Sequence, residues 1–384
     1  MSADTLSFFG LPSFGLPVLF IGLIVFAVSF IATNWFARHL LVADVPNGRS
    51  SHTQTASRAG GLSIMLGWMA GLMLAVIVIG TPFTGPVFWL IPFTMLAAGL
   101  GCIDDVVPLK PSVKLIGQFI LAAAFVSLAG TLTQAPLPFI GQTPLGPLAY
   151  PIAIFWIVGL MNAFNFMDGA NGLAASNAAI IFVVFAVITA AYIGGAGAGA
   201  GLLVISFLMA VAISGFVPYN LIQGSIFMGD AGSQALGFLM AALPLVLTPL
   251  TENALSPLLV PVMLLPFIGD VTFTLIHRFA RGKNVLQAHR EHLYQLLLRM
   301  EISHAKVTAI YLSATMITSA FAVMMLGMPA RWQWVVPVAL LVATLFPALS
   351  LFKKAKAAGL LDNAIKADPA ELELGPASQR QAAE

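Results

Sequence analysis

Long apolar stretches recur along the whole chain and constrain its fold more than any other feature. A transmembrane helix needs roughly 20 apolar residues, and about eleven stretches approach that length. Their approximate bounds are 14–41, 62–79, 87–103, 114–129, 149–162, 173–193, 201–217, 234–250, 257–276, 307–326 and 334–352. Of the 384 residues, 59% are hydrophobic and only 8% are charged, against roughly 25% charged in a soluble domain. We therefore predict an all-α, polytopic membrane protein.

The positions of Lys and Arg predict how these helices are oriented. In the alternating loops, all of the 17 Lys and Arg residues except Arg331 fall on the same side. Cytoplasmic loops carry the excess of positive charge in membrane proteins. We therefore expect a periplasmic N-terminus and a cytoplasmic C-terminus. Residues 1–352 would form the membrane domain, and residues 353–384 a disordered cytoplasmic tail. The outer loop 129–147, rich in Pro and Gly, is expected to form a small hairpin.

Polar residues gather in the loops on the predicted inner side. The clearest segment is 162–174, which contains Asp168 and three asparagines and precedes a stretch, 174–203, that has no charged residue. An ionisable group at the mouth of a membrane segment is costly and usually functional. Comparable inner segments are 44–61, 104–114, 218–233 and 288–295. We expect these loops to converge on one pocket.

The aspartates of these segments predict a site for a hard metal ion. The chain has one cysteine, Cys102, and no HExxH pattern, so carboxylate ligands favour Mg²⁺, or alternatively Mn²⁺, over Zn²⁺. Mg²⁺ in proteins commonly bridges substrate phosphates. Arg58, Lys114 and Arg290 are available to neutralise phosphate charge. The pattern indicates a phosphorylated, nucleotide-linked substrate that meets the membrane surface.

Four motifs in this order resemble those of the polyprenyl-phosphate N-acetylhexosamine-1-phosphate transferases. They are Asp104-Asp105, Asn165-Phe-Met-Asp168-Gly-Ala-Asn171-Gly-Leu-Ala174, Phe227-Met-Gly-Asp230-Ala-Gly-Ser233 and His289-Arg-Glu-His292. The last motif is more similar to the O-antigen initiators than to the peptidoglycan branch. The resemblance implies an enzyme of the bacterial inner membrane. It would transfer a HexNAc-1-phosphate from a UDP-HexNAc to polyprenyl phosphate, release UMP and start an envelope polysaccharide such as O-antigen.

The resemblance also implies roles for individual residues. Asp230 would bind Mg²⁺, helped through water by Asp105 or Asp168. The implied catalytic residues are Asp104, Asp105 and Asp168. The implied nucleotide-binding residues are Asn165, Gly169, Asn171, Asn220 and Phe227. The implied phosphate- and sugar-binding residues are His52, Arg58, Lys114, His289, Arg290 and His292, with His289 and His292 on one face of a helix.

Several points stay open at this level. Either Asp104 or Asp105 would orient or deprotonate the lipid phosphate while the other binds Lys114 or metal. Direct displacement and a covalent aspartyl-phosphate are both compatible with the motifs. Ser225 stands where family members commonly carry a basic residue, which leaves the donor sugar undecided. Asp270 is either functional or a buried partner of Arg278 or His277.

Two other classes of function are compatible with a polytopic chain. A secondary transporter has a comparable helix count, but its ionisable site lies near the bilayer midplane on broken helices. Here the ionisable residues lie at predicted inner helix ends, which favours an enzyme acting on a lipid head group. A non-catalytic protein that binds the lipid carrier is disfavoured by the aspartates. The net charge of +2 is too small to indicate nucleic-acid binding. A homodimer is compatible with the sequence.

Overall fold

The computed structural model describes residues 15–39, 43–44, 56–81, 83–193, 197–285, 287 and 289–361. These residues are mainly helical, as predicted. The helices are α1 (Gly15–His39), α2 (Gly60–Ile79), α3 (Pro86–Val106), α4 (Pro111–Ala129), α5 (Ala149–Phe166), α6 (Leu173–Tyr192), α7 (Gly197–Val217), α8 (Gly229–Leu250), α9 (Leu259–Met263), α10 (Leu265–Ala280), α11 (Leu293–Arg299), α12 (His304–Met325) and α13 (Val335–Ala357).

Within the described residues, ten helices are long and apolar enough to cross a membrane. They are α1 to α8, α12 and α13, so ten of the predicted stretches are confirmed as helices of spanning length. The predicted helix at 257–276 is instead divided at Leu264 into α9 and α10. Pro266 lies in the first turn of α10. Proline is favourable there, because an N–H in the first turn has no partner within the helix.

Two short antiparallel strand pairs accompany the helices in the described residues. β1 (Ala43–Asp44) pairs with β2 (Ala56–Ser57) in antiparallel fashion. β3 (Gln134–Leu137) pairs with β4 (Gly141–Pro144), with Leu137 opposite Gly141. The second pair confirms the hairpin predicted in the loop 129–147. It is attached to the residues before α13, since the Trp334 indole donates to the Pro136 carbonyl at 2.5 Å.

Helix α8 forms the centre of the bundle. Over its most apolar 18 residues 89% are buried, against 17% in the segment Ala330–Ala357, which contains α13. It packs against α2, α3 and α5. Gly101 on α3 permits a close approach to α8, because a Cβ there would collide with the backbone of Asp230. The first turn of α8 is therefore fixed tightly against the last turn of α3.

The last described residues are ordered against the bundle rather than forming a tail. Helix α13 continues to Ala357. Leu361 is 1% exposed and belongs to a small apolar cluster with Leu296 and Phe352. The boundary predicted at residue 353 therefore lies too early. Residues 362–384, where the disordered tail is predicted, lie outside the described part of the chain.

Candidate active site

A carboxylate of α3 holds the N-terminus of α8. Asp105 accepts one hydrogen bond from the Asp230 backbone N–H at 3.0 Å and a second from that of Ala231 at 2.9 Å. The first N–H groups of a helix have no partner within the helix, and the positive end of the helix dipole favours a negative charge. Asp105 thus fixes the backbone that carries Asp230.

The side chain of Asp230 is the point where three helices meet. Its carboxylate is in contact with the Lys114 ammonium of α4 and accepts a hydrogen bond from the Asn165 amide of α5 at 2.8 Å. The same amide donates to the Ser233 hydroxyl, also at 2.8 Å. Asn165, predicted as a nucleotide-binding residue, is thus a direct neighbour of the predicted metal ligand.

Asp104 lies on the other side of Lys114. Its Oδ2 is 2.9 Å from the Lys114 ammonium, and its Oδ1 accepts the Leu109 backbone N–H at 2.7 Å. One ammonium group is therefore shared by two carboxylates, those of Asp104 and Asp230. Asp104 and Asp105 have different partners. This agrees with the expectation that adjacent side chains on a helix cannot face the same way.

A second polar layer lies one helical turn further from the ends of α4, α5 and α8. The Gln118 amide donates to Gln234 Oε1 at 2.7 Å, and Asn162 donates to Gln118 Oε1 at 2.7 Å. Sequence analysis missed this layer. The signal was present, because Gln118 and Gln234 follow Lys114 and Asp230 by one turn inside apolar stretches.

Asp168 is the least compensated carboxylate of the site. It is partly buried in the loop between α5 and α6, and its carboxylate has no hydrogen-bond partner among the described residues. Burial raises the pKa of its carboxyl well above the usual value, and the carboxylates of Asp230 and Asp105 raise it further. Three negative groups therefore act on one another at the end of the bundle.

The segment that carries Arg58 lies along the segment that carries Phe227. Phe227 N–H donates to the Ser57 carbonyl at 2.7 Å, and Gly60 N–H donates to the Phe227 carbonyl at 3.0 Å. The charge of Arg58 acts on Asp105. The backbone of Ser225 joins the same arrangement, because its carbonyl accepts the Ser57 N–H at 3.5 Å. Arg58 and Phe227 are thereby brought to the start of α8, and their predicted contacts with phosphate and nucleoside stay predictions.

The loop between α5 and α6 is braced from two sides. Asn220 accepts the Gly172 N–H at 2.6 Å and donates to the Ile226 carbonyl at 2.8 Å. His304 Nδ1 accepts the Asn171 N–H at 3.1 Å. Asn220 is only 4% exposed. Its amide therefore braces the loop, and its contact with a nucleoside stays a prediction.

The two histidines of the last motif lie together, although not on a helix. Helix α11 begins only at Leu293, so the predicted arrangement on one helical face is wrong. The rings of His289 and His292 are nevertheless 4.8 Å apart. Burial, together with the charges of His292 and Arg278, lowers the pKa of His289 to about 4, which leaves this ring neutral at pH 7.

The histidine segment is attached to the loop that carries Asp168. The Tyr294 hydroxyl donates to the Phe166 carbonyl at 3.0 Å. Gly169 is required beside it, since a Cβ at that position would collide with the Tyr294 hydroxyl. Arg290 belongs to the same segment, and its carbonyl accepts the Arg299 guanidinium at 3.2 Å. The structure thus places Gly169 against the histidine segment.

Two predictions about single residues have a different outcome. Asp270 contacts the histidine segment, and of the two alternatives left open for it, a partnership with Arg278 or His277 is not found among the described contacts. Arg278 instead forms an ion pair with Glu291 at 3.1 Å. His52 lies outside the described residues, so its predicted phosphate contact stays a prediction.

The oxygen groups around Asp230 fit a magnesium ion. The described residues contain no group of three or more His, Cys, Asp or Glu side chains arranged as a metal centre. Mg²⁺, however, usually uses one or two carboxylates and takes its other ligands from water and substrate phosphates. Asp230 offers a carboxylate that is already paired with a cation, and Asp168 offers one without a hydrogen-bond partner. Both are hard oxygen ligands of the kind that Mg²⁺ requires.

Comparison with known proteins identifies the family. The sequence profile described as glycosyl transferase family 4 matches residues 87–248. A probable undecaprenyl-phosphate N-acetylglucosaminyl 1-phosphate transferase of Bacillus subtilis is 32% identical over 274 residues, which cover 70% of this chain and 73% of that protein. The chain belongs to glycosyl transferase family 4. The matched region of the family contains Asp104, Asp105, Asp168 and Asp230.

Two further relatives are similar over different shares of the chain. A decaprenyl-phosphate N-acetylglucosaminephosphotransferase of Mycolicibacterium smegmatis is 29% identical over 365 residues, 87% of this chain and 88% of that protein. A phospho-N-acetylmuramoyl-pentapeptide-transferase of Staphylococcus saprophyticus is 35% identical over 204 residues, 49% of this chain and 61% of that protein. The family resemblance predicted from the motifs is confirmed.

Proposed function

We propose that this protein transfers an N-acetylhexosamine-1-phosphate from a UDP-sugar to polyprenyl phosphate, giving polyprenyl-diphospho-HexNAc and UMP. The observation that carries the proposal is the site around Asp230. Asp104, Lys114, Asn165 and Asp230 come from four helices and meet at one end of the bundle, in a chain that belongs to this family.

The chemistry needs little proton transfer. A phosphate monoester has a second pKa near 6, so the lipid phosphate is largely a dianion at neutral pH. One of its oxygens forms a bond to the β-phosphorus of the UDP-sugar. The bond from that phosphorus to the bridging oxygen breaks, and the electron pair leaves with UMP. The total charge is the same before and after, so the main barrier is repulsion between two anions.

Cationic side chains reduce the repulsion between the two phosphate groups. Lys114 lies between Asp104 and Asp230, where a phosphate oxygen can replace one carboxylate as its partner. Arg58 lies at the start of α8 on the segment beside Phe227. Preorganised positive groups of this kind stabilise the charge of a phosphoryl-transfer transition state. Asp230, with Asp168 reached through water, would hold Mg²⁺ or Mn²⁺, which supplies further positive charge to the diphosphate when bound.

The contacts of the two aspartates of α3 favour direct displacement over a covalent intermediate. Both carboxylate oxygens of Asp105 accept backbone N–H groups of α8. Asp104 is bonded to Lys114 and to the Leu109 N–H. A carboxylate nucleophile would have to leave these partners. The lipid phosphate needs no such release, so it is the simpler nucleophile.

The donor and the setting are further parts of the proposal. UDP-GlcNAc is the first donor to test, because two of the relatives named above are N-acetylglucosamine-phosphate transferases. We place the reaction at the cytoplasmic face of the bacterial inner membrane, where it would start an envelope polysaccharide such as O-antigen. Ser225, which replaces the usual basic residue, bears on the choice of sugar. A homodimer stays a prediction.

The test is UMP release by purified protein in detergent with undecaprenyl phosphate and Mg²⁺. The donors are UDP-GlcNAc, UDP-MurNAc-pentapeptide and UDP-linked 6-deoxy-HexNAc. We expect lipid-dependent UMP from one donor and at least a roughly 100-fold loss in Asp230→Asn. Glu252→Gln, an exposed acidic residue at the other end of α8, is the matched control and should keep full activity. Folded protein that releases no UMP from any donor would contradict the proposal.

A further inference from the structure

Asp270 has a dense set of hydrogen bonds that the proposed reaction does not yet use. It lies within α10 and is 2% exposed. Its carboxylate accepts the Leu293 N–H at 2.8 Å, the Tyr294 N–H at 3.1 Å and the Tyr311 hydroxyl at 2.5 Å. A buried carboxylate is expensive unless it is compensated by donors such as these. Asp270 thus connects α10 and α12 to the first turn of α11.

The same carboxylate also contacts His292. Nδ1 of that ring is 3.3 Å from Asp270 Oδ1. The ring is 3% exposed and has its centre 5.8 Å from that of Phe166, at the end of α5. The His292 side chain is also part of the capping box at the start of α11, where it faces the backbone N–H of Gln295. The ring is thus held between Asp270, Phe166 and the first turn of α11.

The hydrogen bond at one ring nitrogen decides what the other can do. With its Nδ1–H donated to Asp270, His292 presents Nε2 in a fixed direction. To donate from Nε2 to a phosphate oxygen as well, the ring must carry a proton on both nitrogens. An equivalent carboxylate partner is common where a histidine must be held in one orientation for a ligand.

We propose that Asp270 is a positioning residue that orients His292 towards the diphosphate of the donor sugar. The inference rests on the proposed function, because it takes His292 to be a contact of the UDP-sugar. It assigns to Asp270 a role through His292, and not a direct contact with substrate.

Three variants separate this role from a purely structural one. Asp270→Asn keeps the size of the side chain and one oxygen acceptor but removes the charge. His292→Gln removes the ring through which Asp270 would act. Tyr311→Phe is the matched control, since it deletes one donor to the same carboxylate at 2.5 Å without touching the His292 contact.

The kinetic test is a double-mutant cycle on lipid-dependent UMP release. We expect Asp270→Asn to lower kcat about 10- to 100-fold, with the KM for undecaprenyl phosphate within roughly twofold. In the His292→Gln background the same substitution should cost less than about threefold, because the two residues act as one unit. Tyr311→Phe should cost less than about threefold. An equal loss from Asp270→Asn in both backgrounds would overturn the proposal.

A spectroscopic test needs no substrate. In protein labelled with ¹⁵N-histidine, the side-chain resonances of His292 are those that disappear in His292→Gln. We expect them to shift in Asp270→Asn and to stay in place in Tyr311→Phe. Unchanged resonances in Asp270→Asn would overturn the proposal. Should that variant not fold, Asp270→Glu keeps the charge and displaces the carboxylate by one methylene, and the same readouts apply. A protein inactive with every donor would count against the proposed function, while this spectrum would still decide how His292 is held.

Discussion

At the scale of single residues, the two neighbouring aspartates of α3 show how one motif divides its tasks. Asp104 is paired with Lys114, whose other partner is Asp230. Asp105 instead binds two backbone N–H groups at the start of α8. Asp104 therefore contributes to the charge of the site, whereas Asp105 fixes the position of α8. Substitutions at the two positions should therefore differ in their effect on stability.

We expect Asp105→Ala to lower the free energy of unfolding by about 1 kcal/mol, the usual cost of losing a side-chain cap at a helix N-terminus. Asp105→Asn should lose less, because its amide oxygen can still accept one of the two N–H groups. Thermal unfolding midpoints in detergent should fall in the order wild type, Asp105→Asn, Asp105→Ala. If the unfolding midpoint of Asp105→Ala equals that of the wild type, the carboxylate does not act as a cap.

Residue roles were predictable from the sequence only in part. The motifs singled out Asp230, Lys114 and Asn165, which the structure brings into contact. They could not supply the partners of Asp105 or Asp270. The partners of Asp105, and two of the partners of Asp270, are backbone N–H groups. Every residue except proline possesses such a group, so no residue type marks these partners in a sequence. The sequence left Asp270 open between a functional role and a partnership with Arg278 or His277, whereas its partners in the structure are Thr274, His292 and residues of α11 and α12.

At the scale of elements, the site depends on how closely α8 can approach α3. Gly101 faces the backbone of Asp230, and any side chain there would collide with it. Gly99 lies two residues earlier on the same helix, and a Cβ added at that position would have no neighbouring atom within 4 Å. The two glycines therefore form a matched pair for testing whether close packing of the helices sets the geometry of the site.

Gly101→Ala should displace the first turn of α8 and so move Asp230 away from Lys114 and Asn165. We expect at least a roughly tenfold loss of UMP release, because small displacements of catalytic groups are costly. Gly99→Ala should keep full activity and be neutral or stabilising by up to about 1 kcal/mol, as for Ala in place of Gly within a helix. Comparable activity in the two variants would show that α8 tolerates the displacement.

Hydropathy predicted the membrane-spanning helices well wherever an apolar stretch was long enough to cross the bilayer. Ten apolar stretches became helices of spanning length, because their backbone groups can be satisfied only within the helix in a lipid environment. The division at Leu264 was missed, since an average over an apolar stretch does not register a local change of backbone conformation. Pro266, inside the predicted helix, was the available signal.

At the scale of the whole molecule, the helix ends explain why residues far apart in sequence form one site. The last turns of α3 and α5 meet the first turns of α4 and α8, as helices that alternate in direction across a membrane must do. The predicted convergence of Asp104, Lys114, Asn165 and Asp230 follows from that alternation. At the opposite end, the β3–β4 hairpin is attached to the residues before α13 through Phe139, whose N–H donates to the Arg331 carbonyl at 3.0 Å.

The orientation of this bundle is the remaining prediction, and it decides which cellular pool of UDP-sugar reaches the site. The distribution of Lys and Arg places the hairpin outside and the Asp230 end inside. Phe139 is 75% exposed at the hairpin, and Lys110 is exposed beside the site. In a Cys102→Ser background, a membrane-impermeant maleimide applied to intact cells with a permeabilised outer membrane should label Phe139→Cys but not Lys110→Cys. Disrupting the inner membrane should make both react. The reverse pattern would place the site in the periplasm, where a cytoplasmic nucleotide sugar cannot reach it.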